Sequence, residues 1–266
     1  MNKLERLKRI VAKLESVAVA FSGGVDSTLL LKVCADVLGE KCIAVTARSE
    51  TYPKEELRIA RQTANALGVK HEIIETSELG NPSFADNPPD RCYHCKKELM
   101  TKLRAVAGAN GLRNIADGTN ADDTEDYRPG IKAAEETGVR QPLREAGLTK
   151  QDVRAISREL GLEGWDRPAQ ACLASRFPYG RRITEGALKM VEQTERLLHE
   201  MGFRQCRVRH HDSVARIELL PEDIPRFIQL DERDNLVEKV KNVGYKFVAL
   251  DLEGYRTGSL NEELQK

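Results

Sequence analysis

Val17-Ala-Val-Ala-Phe-Ser-Gly-Gly-Val-Asp-Ser27 is the stretch on which the reading of this chain turns. Its first five residues form a continuous apolar run, the pattern of a short strand buried on both faces. The run stops at Ser22-Gly-Gly24. From Ser27 onward Leu29, Leu30, Val33 and Leu38 recur at helical spacing, with Gly39 as the stop. A strand, a glycine turn and a helix thus follow one another directly. At such a helix N-terminus the unsatisfied N–H groups and the helix dipole favour an anion. Gly23 and Gly24 allow the backbone to approach phosphate oxygens closely, and Ser22, Ser27 and Thr28 add hydroxyl donors. Asp26 is repelled by phosphate and suits a magnesium ion instead. The turn lacks the Gly-Lys-[Ser/Thr] ending of a Walker loop, which disfavours a phosphoryl-transfer motor. The bland alternative is a tight turn with a serine cap, as many helices have.

Outward from this stretch the alternation continues. Residues 2–15 carry a helical period, 42–46 read as a second strand, 53–67 as a helix closed by Gly68, 69–74 as a third strand and 113–116 as a fourth. Strands alternating with helices predict an α/β fold whose parallel sheet is covered by helices on both faces. Thr149 reads as the N-cap of a helix to Leu160, with Asp152 in the capping-box position. Residues 161–180 have no period, and a loop of that length in a compact chain is usually functional. Beyond it a helix at 184–201, strands at 205–210 and 214–219, helices at 221–230 and 234–243 and a strand at 245–250 predict a small α+β unit. The expected domains are therefore 1–180 and 181–266.

Apolar residues make up 40% and charged residues 32%, the balance of an ordinary soluble globular protein. The charged N-terminus has no apolar signal-peptide core, and no run approaches the roughly 20 apolar residues of a membrane span. The expected compartment is the cytoplasm. Lys+Arg and Asp+Glu are both 42, so the basic excess that usually accompanies a nucleic-acid partner is missing.

In a reducing cytoplasm the six cysteines are not expected to form a disulfide framework. Cys34, Cys42 and Cys206 lie in apolar helix or strand patterns and read as small core residues. Cys92-Tyr-His-Cys95-Lys-Lys97 opens a helical segment, where a thiolate is a good ligand or nucleophile. A C-x-x-C pair can belong to a zinc, redox or iron–sulfur site. With no second pair a four-cysteine zinc ribbon is excluded. Cys172 is the remaining loop cysteine, and three thiolates suit a [4Fe–4S] cluster with one iron left open. Incidental surface cysteines are the alternative.

Ser22-Gly-Gly-Val-Asp-Ser27 in its strand–loop–helix setting resembles the signature of the pyrophosphate-loop ATP-pyrophosphatases. In that superfamily the loop holds the pyrophosphate released when AMP is transferred. Asp117-Gly-Thr-Asn-Ala-Asp-Asp123 is similar to the superfamily's segment after the fourth strand, which closes on the nucleotide and its metal. The resemblance implies an adenine nucleotide alpha hydrolase-like fold, ATP as cofactor, and Mg2+ near Asp26 and Asp123. Arg167-Pro-Ala-Gln-Ala-Cys-Leu-Ala-Ser-Arg-Phe-Pro-Tyr-Gly180 and Gly254-Tyr-Arg-Thr-Gly-Ser-Leu-Asn261 extend the likeness over essentially the whole chain, to the LarE family of sulfur transferases.

That resemblance implies adenylation of a carboxylate of a pyridinium dicarboxylate mononucleotide, then replacement of oxygen by sulfur, in nickel-pincer cofactor synthesis. It places Cys172 at the family's sulfur-bearing cysteine. In some members that lone cysteine surrenders its own sulfur. The pair Cys92 and Cys95 resembles instead the members with three cysteines, thought to hold a [4Fe–4S] cluster, and this is the expected type here. An anionic substrate needs cations, for which Arg176, Arg207, Arg209 and Arg256 are the candidates. Arg207 and Arg209 alternate on a strand and so share a face. The family also implies a homo-oligomer, a hexamer, with no nucleic-acid or membrane partner. The rival readings are a tRNA thiolase of the same superfamily, an ammonia-using amide synthetase and a nucleotide-binding module without catalysis.

Overall fold

A computed structural model describes residues 2–124, 133, 136–168 and 170–264. The chain divides into two compact units, one of residues 1–77 and 90–170, the other of 78–89 and 171–266. The division expected near residue 180 thus falls earlier, and a short upstream segment goes with the second unit.

The first unit holds a four-stranded parallel sheet in the order β3-β2-β1-β4, from Val17–Ala20 (β1), Cys42–Arg48 (β2), Lys70–Glu75 (β3) and Asn114–Ala116 (β4). β1 is buried on both faces because two cores meet on it. Val17 and Val19 pack with Leu29, Leu30 and Val33 of α2 (Val25–Leu38) and with Ala60 of α3 (Lys54–Ala66). Ala18 faces the other way, with Ile43, Val45, Met100 and Leu103. The doubly covered parallel sheet is the fold its apolar runs predict. Chain order builds outward from β1 through β2 to β3, then returns to the other side of β1 for β4. The carboxyl ends of β1 and β4 therefore flank a topological switch point, where open α/β sheets bind ligands.

The second unit has its own core around Leu198, Phe203, Val208, Ile217 and Val240. Here Cys206–His211 (β5) pairs antiparallel with Val214–Leu219 (β6), and Phe247–Leu250 (β7) runs parallel to β6. The helix expected at 184–201 spans Glu185–Glu200, capped by Thr184, whose hydroxyl accepts the Ala187 N–H at 3.2 Å. Residues 171–180 belong to this unit because buried Asn87 fastens them. Its side-chain amide donates to the Phe177 and Pro178 carbonyls at 3.2 and 2.7 Å, and Gly180 N–H donates to its carbonyl at 2.9 Å.

Candidate functional site

Two loops leave the switch point. In the loop 22–27, Gly23 has φ +76°, and a Cβ there would stand 3.1 Å from the Ala60 N and Cα of α3. Both facts demand glycine. The serine hydroxyls shape the loop from within. Ser27 donates to the Gly24 carbonyl at 3.1 Å and accepts from the Ser22 hydroxyl at 3.1 Å and the Ser22 N–H at 3.3 Å. Ser22 Oγ in turn accepts the Gly24 N–H at 3.3 Å. These hydroxyls, expected as phosphate donors, are thus engaged in holding the turn open. Thr28 is buried in the helix's first turn. Gly24, at the N-cap of α2, offers no side-chain acceptor, which leaves the first-turn N–H groups directed at whatever anion enters.

The second loop follows β4 and leans on the first. A Cβ at Gly118 would meet Ser27 N at 2.9 Å, Ser27 Cα at 3.1 Å and the Asp26 carbonyl carbon at 3.2 Å. All are backbone atoms with no room to yield. Gly118→Ala should therefore push the two loops apart and lower substrate-dependent pyrophosphate release on the order of tenfold, since small misplacements are costly in a preorganised site. Steady-state kinetics beside a thermal melt check this; an unchanged rate would show that the close approach does not matter.

Asn120 links the loops' acids. Its Nδ2 donates to Asp26 Oδ1 at 3.1 Å, its N–H donates to Asp123 Oδ2 at 3.0 Å, and its Oδ1 accepts the Asp122 N–H at 2.9 Å. Asp26 and Asp123 thus offer hard oxygen ligands to either side of one side chain, a donor set that fits Mg2+ completed by phosphate oxygens. Among the described residues no group of three or more His, Cys, Asp or Glu side chains is gathered to hold a metal by itself.

Two lysines join this site that pattern reading did not single out. Lys150 Nζ forms an ion pair with Asp26 Oδ2. Lys96 Nζ lies 2.7 Å from Asp117 Oδ2, while Asp117 Oδ1 accepts the Thr119 N–H at 3.0 Å. Lys96 follows Cys95 on the helix Arg91–Ala109, with Cys92 exposed and Cys95 half-buried in its first turns. Cys34, Cys42 and Cys206 are buried, as their patterns predict. Burial pushes the Cys206 thiol far up, so it stays protonated.

In the second unit Cys172 is half-buried and caps a short 3-10 turn at Leu173–Arg176. Its carbonyl accepts from the Ser175 N–H at 3.0 Å, the Ser175 hydroxyl at 2.9 Å and Arg176 Nη1 at 3.1 Å. The backbone that carries the thiol is therefore fixed. The thiol donors at 92, 95 and 172 have the soft chemistry an iron–sulfur cluster requires.

Arg176, expected to meet substrate, is instead wholly buried and internally spent. Its Nε and Nη2 each lie 2.9 Å from a Glu195 oxygen, and Nη1 serves the Ala171 and Cys172 carbonyls and the Ser175 hydroxyl. Burial alone would raise the Glu195 carboxyl, but Arg176 and then Arg207 hold it below its ordinary range. Arg209 is similarly engaged, bidentate to Glu218 at 2.9 and 2.7 Å with Nη1 on the Ser175 carbonyl at 2.8 Å. Arg207 shares that face of β5, as alternation predicts, over the Tyr255 ring at 5.2 Å. Burial, then the Arg176 charge, lowers its pKa. Arg256 is half-exposed and paired with Glu253 and Glu262.

Glu195→Ala would leave the Arg176 guanidinium buried without its carboxylate, at a cost of about 3–5 kcal/mol. For a chain of this length that is a fall in Tm of roughly 10 °C. Calorimetry or a dye melt measures it; an unmoved Tm would mean that the pair does not hold the Cys172 turn.

The asparagine synthase family model matches residues 5–106, which include the loop at 22–27. An uncharacterized protein of Synechocystis is 48% identical over 265 residues, covering 100% of this chain and 99% of its own. The pyridinium-3,5-bisthiocarboxylic acid mononucleotide synthase of Lactiplantibacillus plantarum is 41% identical over 266 residues, or 100% and 96% of the two chains. The tRNA-specific 2-thiouridylase MnmA of Rickettsia felis is more distant, 24% identical over 72% of this chain and 62% of its own. The parallel sheet, the pyrophosphate loop and the full-length likeness converge: this chain belongs to the LarE family of ATP-dependent sulfur transferases.

Proposed function

We propose that the protein adenylates a carboxylate of pyridinium-3,5-biscarboxylic acid mononucleotide and replaces an oxygen with sulfur, giving a thiocarboxylate. The observation that carries this reading is the contact of the two loops at the switch point. It brings an uncapped helix N-terminus, Asp26 and Asp123 to one place. A carboxylate is a poor electrophile, and its acyl-adenylate supplies AMP as a leaving group. The chain's contribution is to bind the phosphates at 22–28, to hold the metal with Asp26 and Asp123, and to place charge where pyrophosphate departs. The full-length relative's name supports the mononucleotide substrate.

Substrate recognition belongs to the buried cations of the second unit. By family likeness an anionic substrate would meet the guanidinium groups of this unit, with Arg207, stacked over Tyr255, the leading contact and Arg256 an outer one. Cys92, Cys95 and Cys172 would hold a [4Fe–4S] cluster, and its chemistry when bound is to present sulfide on an open iron. The competing source of sulfur is Cys172 itself. A homo-oligomer is the assembly proposed, by family likeness. The test is pyrophosphate release from ATP, which should require the mononucleotide; release independent of it would defeat this reading.

A further inference from the structure

Phe21 is the last residue before the phosphate loop, and its peptide link to Ser22 is held at both ends. The Phe21 N–H still makes a ladder bond to the Val45 carbonyl at 2.8 Å, although β1 ends at Ala20. The Phe21 carbonyl accepts the hydroxyl of Thr46, on β2, at 2.6 Å. At the other end of the same peptide the Ser22 N–H donates to Ser27 Oγ at 3.3 Å. A peptide unit is planar, so holding its C=O and its N–H fixes the plane from which the loop departs.

Thr46 is buried and its hydroxyl proton is spent on the Phe21 carbonyl, yet its oxygen lies 2.7 Å from His71 Nε2. The ring is therefore the donor, with a proton on Nε2. Burial, then the Arg61 charge, lowers the His71 pKa, which keeps the ring neutral at pH 7. Register explains the meeting. Thr46 pairs with Ile73, and His71 stands two residues earlier on the same face of β3. The His71 ring also meets the Phe21 ring edge-on, with centroids 5.9 Å apart. All of these groups lie in the first unit.

We propose that Thr46 and His71 are positioning residues of the adenylation step: the chain from His71 through the Thr46 hydroxyl to the Phe21 carbonyl holds the phosphate loop in the form that receives the phosphates of ATP. This inference rests on the reading of residues 22–28 as the phosphate site given above, and adds what keeps that site in shape. Both residues act through the Phe21 carbonyl. Without the hydroxyl the Phe21–Ser22 peptide is free to rotate, and the loop no longer waits in one conformation. ATP must then order the loop as it binds, which weakens affinity.

The test uses the full-length protein with ATP and Mg2+, read by isothermal titration calorimetry. Beside it, pyrophosphate release is assayed with pyridinium-3,5-biscarboxylic acid mononucleotide. Thr46→Val keeps the shape of the side chain and removes its hydroxyl, while Thr46→Ser keeps the hydroxyl. His71→Leu removes the donor behind it, and His71→Gln restores an N–H. Each variant is checked by thermal melt, and Asp26→Asn is the reference for the loop itself.

Thr46→Val should weaken ATP binding on the order of tenfold and raise KM for ATP to match, with KM for the mononucleotide unchanged. Thr46→Ser and His71→Gln should bind ATP close to wild type, and His71→Leu should show a smaller loss than Thr46→Val. Adding His71→Leu to Thr46→Val should cost nothing further, because the histidine acts only through the hydroxyl. A purely structural pair would lower the melting temperature and leave ATP affinity alone. Wild-type ATP affinity in folded Thr46→Val, with Asp26→Asn inactive, would overturn the positioning role alone, as would additive losses in the double variant. Should Thr46→Val not fold, equal ATP affinity in His71→Leu and His71→Gln would overturn it instead. Wild-type pyrophosphate release in Asp26→Asn would show that the loop reading beneath it is wrong, and the inference would fall with it.

Discussion

Asp26→Asn should reduce substrate-dependent pyrophosphate release by on the order of a hundredfold or more while the protein still folds. The substitution keeps the shape of the side chain and removes the charge that a metal ion at the leaving group requires. The fold should tolerate it because Asp26 is half-exposed in the first turn of α2 and the apolar contacts of that helix come from Leu29, Leu30 and Val33. Removing the charge also releases Lys150 from its ion pair, so the melting temperature should barely move. Coupled-enzyme detection of pyrophosphate with and without the mononucleotide reads the effect. A rate within a few-fold of wild type would take Asp26 out of the site.

The second large effect concerns the thiols. Cys92→Ala, Cys95→Ala and Cys172→Ala should each stop sulfur transfer almost completely while adenylation continues, because two protein ligands hold a cubane cluster poorly. Separating the two half-reactions matters here. Pyrophosphate release should survive in all three variants, since the acids of the phosphate site, Asp26 and Asp123, are joined through Asn120. Under the sacrificial alternative only Cys172→Ala would lose sulfur transfer. Iron and sulfide content of the anaerobically purified protein, beside thiocarboxylate formation, separates these outcomes.

Much of the first unit could be read from the sequence because its signals are local. The apolar run 17–21 had to be a doubly buried strand, and Ser22-Gly-Gly24 had to be a turn, since Gly23 adopts a positive φ against Ala60. The capping box at Thr149 and Asp152 is likewise a spacing rule made visible. What stayed hidden depends on pairings between distant residues. Lys150 reaches Asp26, and Lys96 reaches Asp117, across separations that no local period records. Alternation put Arg207 and Arg209 on one face of a strand, but it could not say that Glu218 and Tyr255 cover that face. Arg176 looked like a loop cation because its partner, Glu195, lies in a helix further along the chain. The domain division missed its place for a similar reason, as Asn87 binds residues 177–180 to the second unit through three hydrogen bonds.

The protein is an ATP-dependent sulfur transferase, and the proposal is that it turns over on sulfide without spending its own cysteine. The most direct test is one anaerobic incubation of the iron-loaded protein with ATP, sulfide and the dicarboxylate mononucleotide, followed by mass spectrometry of product and intact protein. The predicted result is several thiocarboxylate products per chain, one AMP for each sulfur installed, and a protein of unchanged mass. Product formation that stops at one sulfur per chain, with the mass of hydrogen sulfide lost at Cys172, would contradict it.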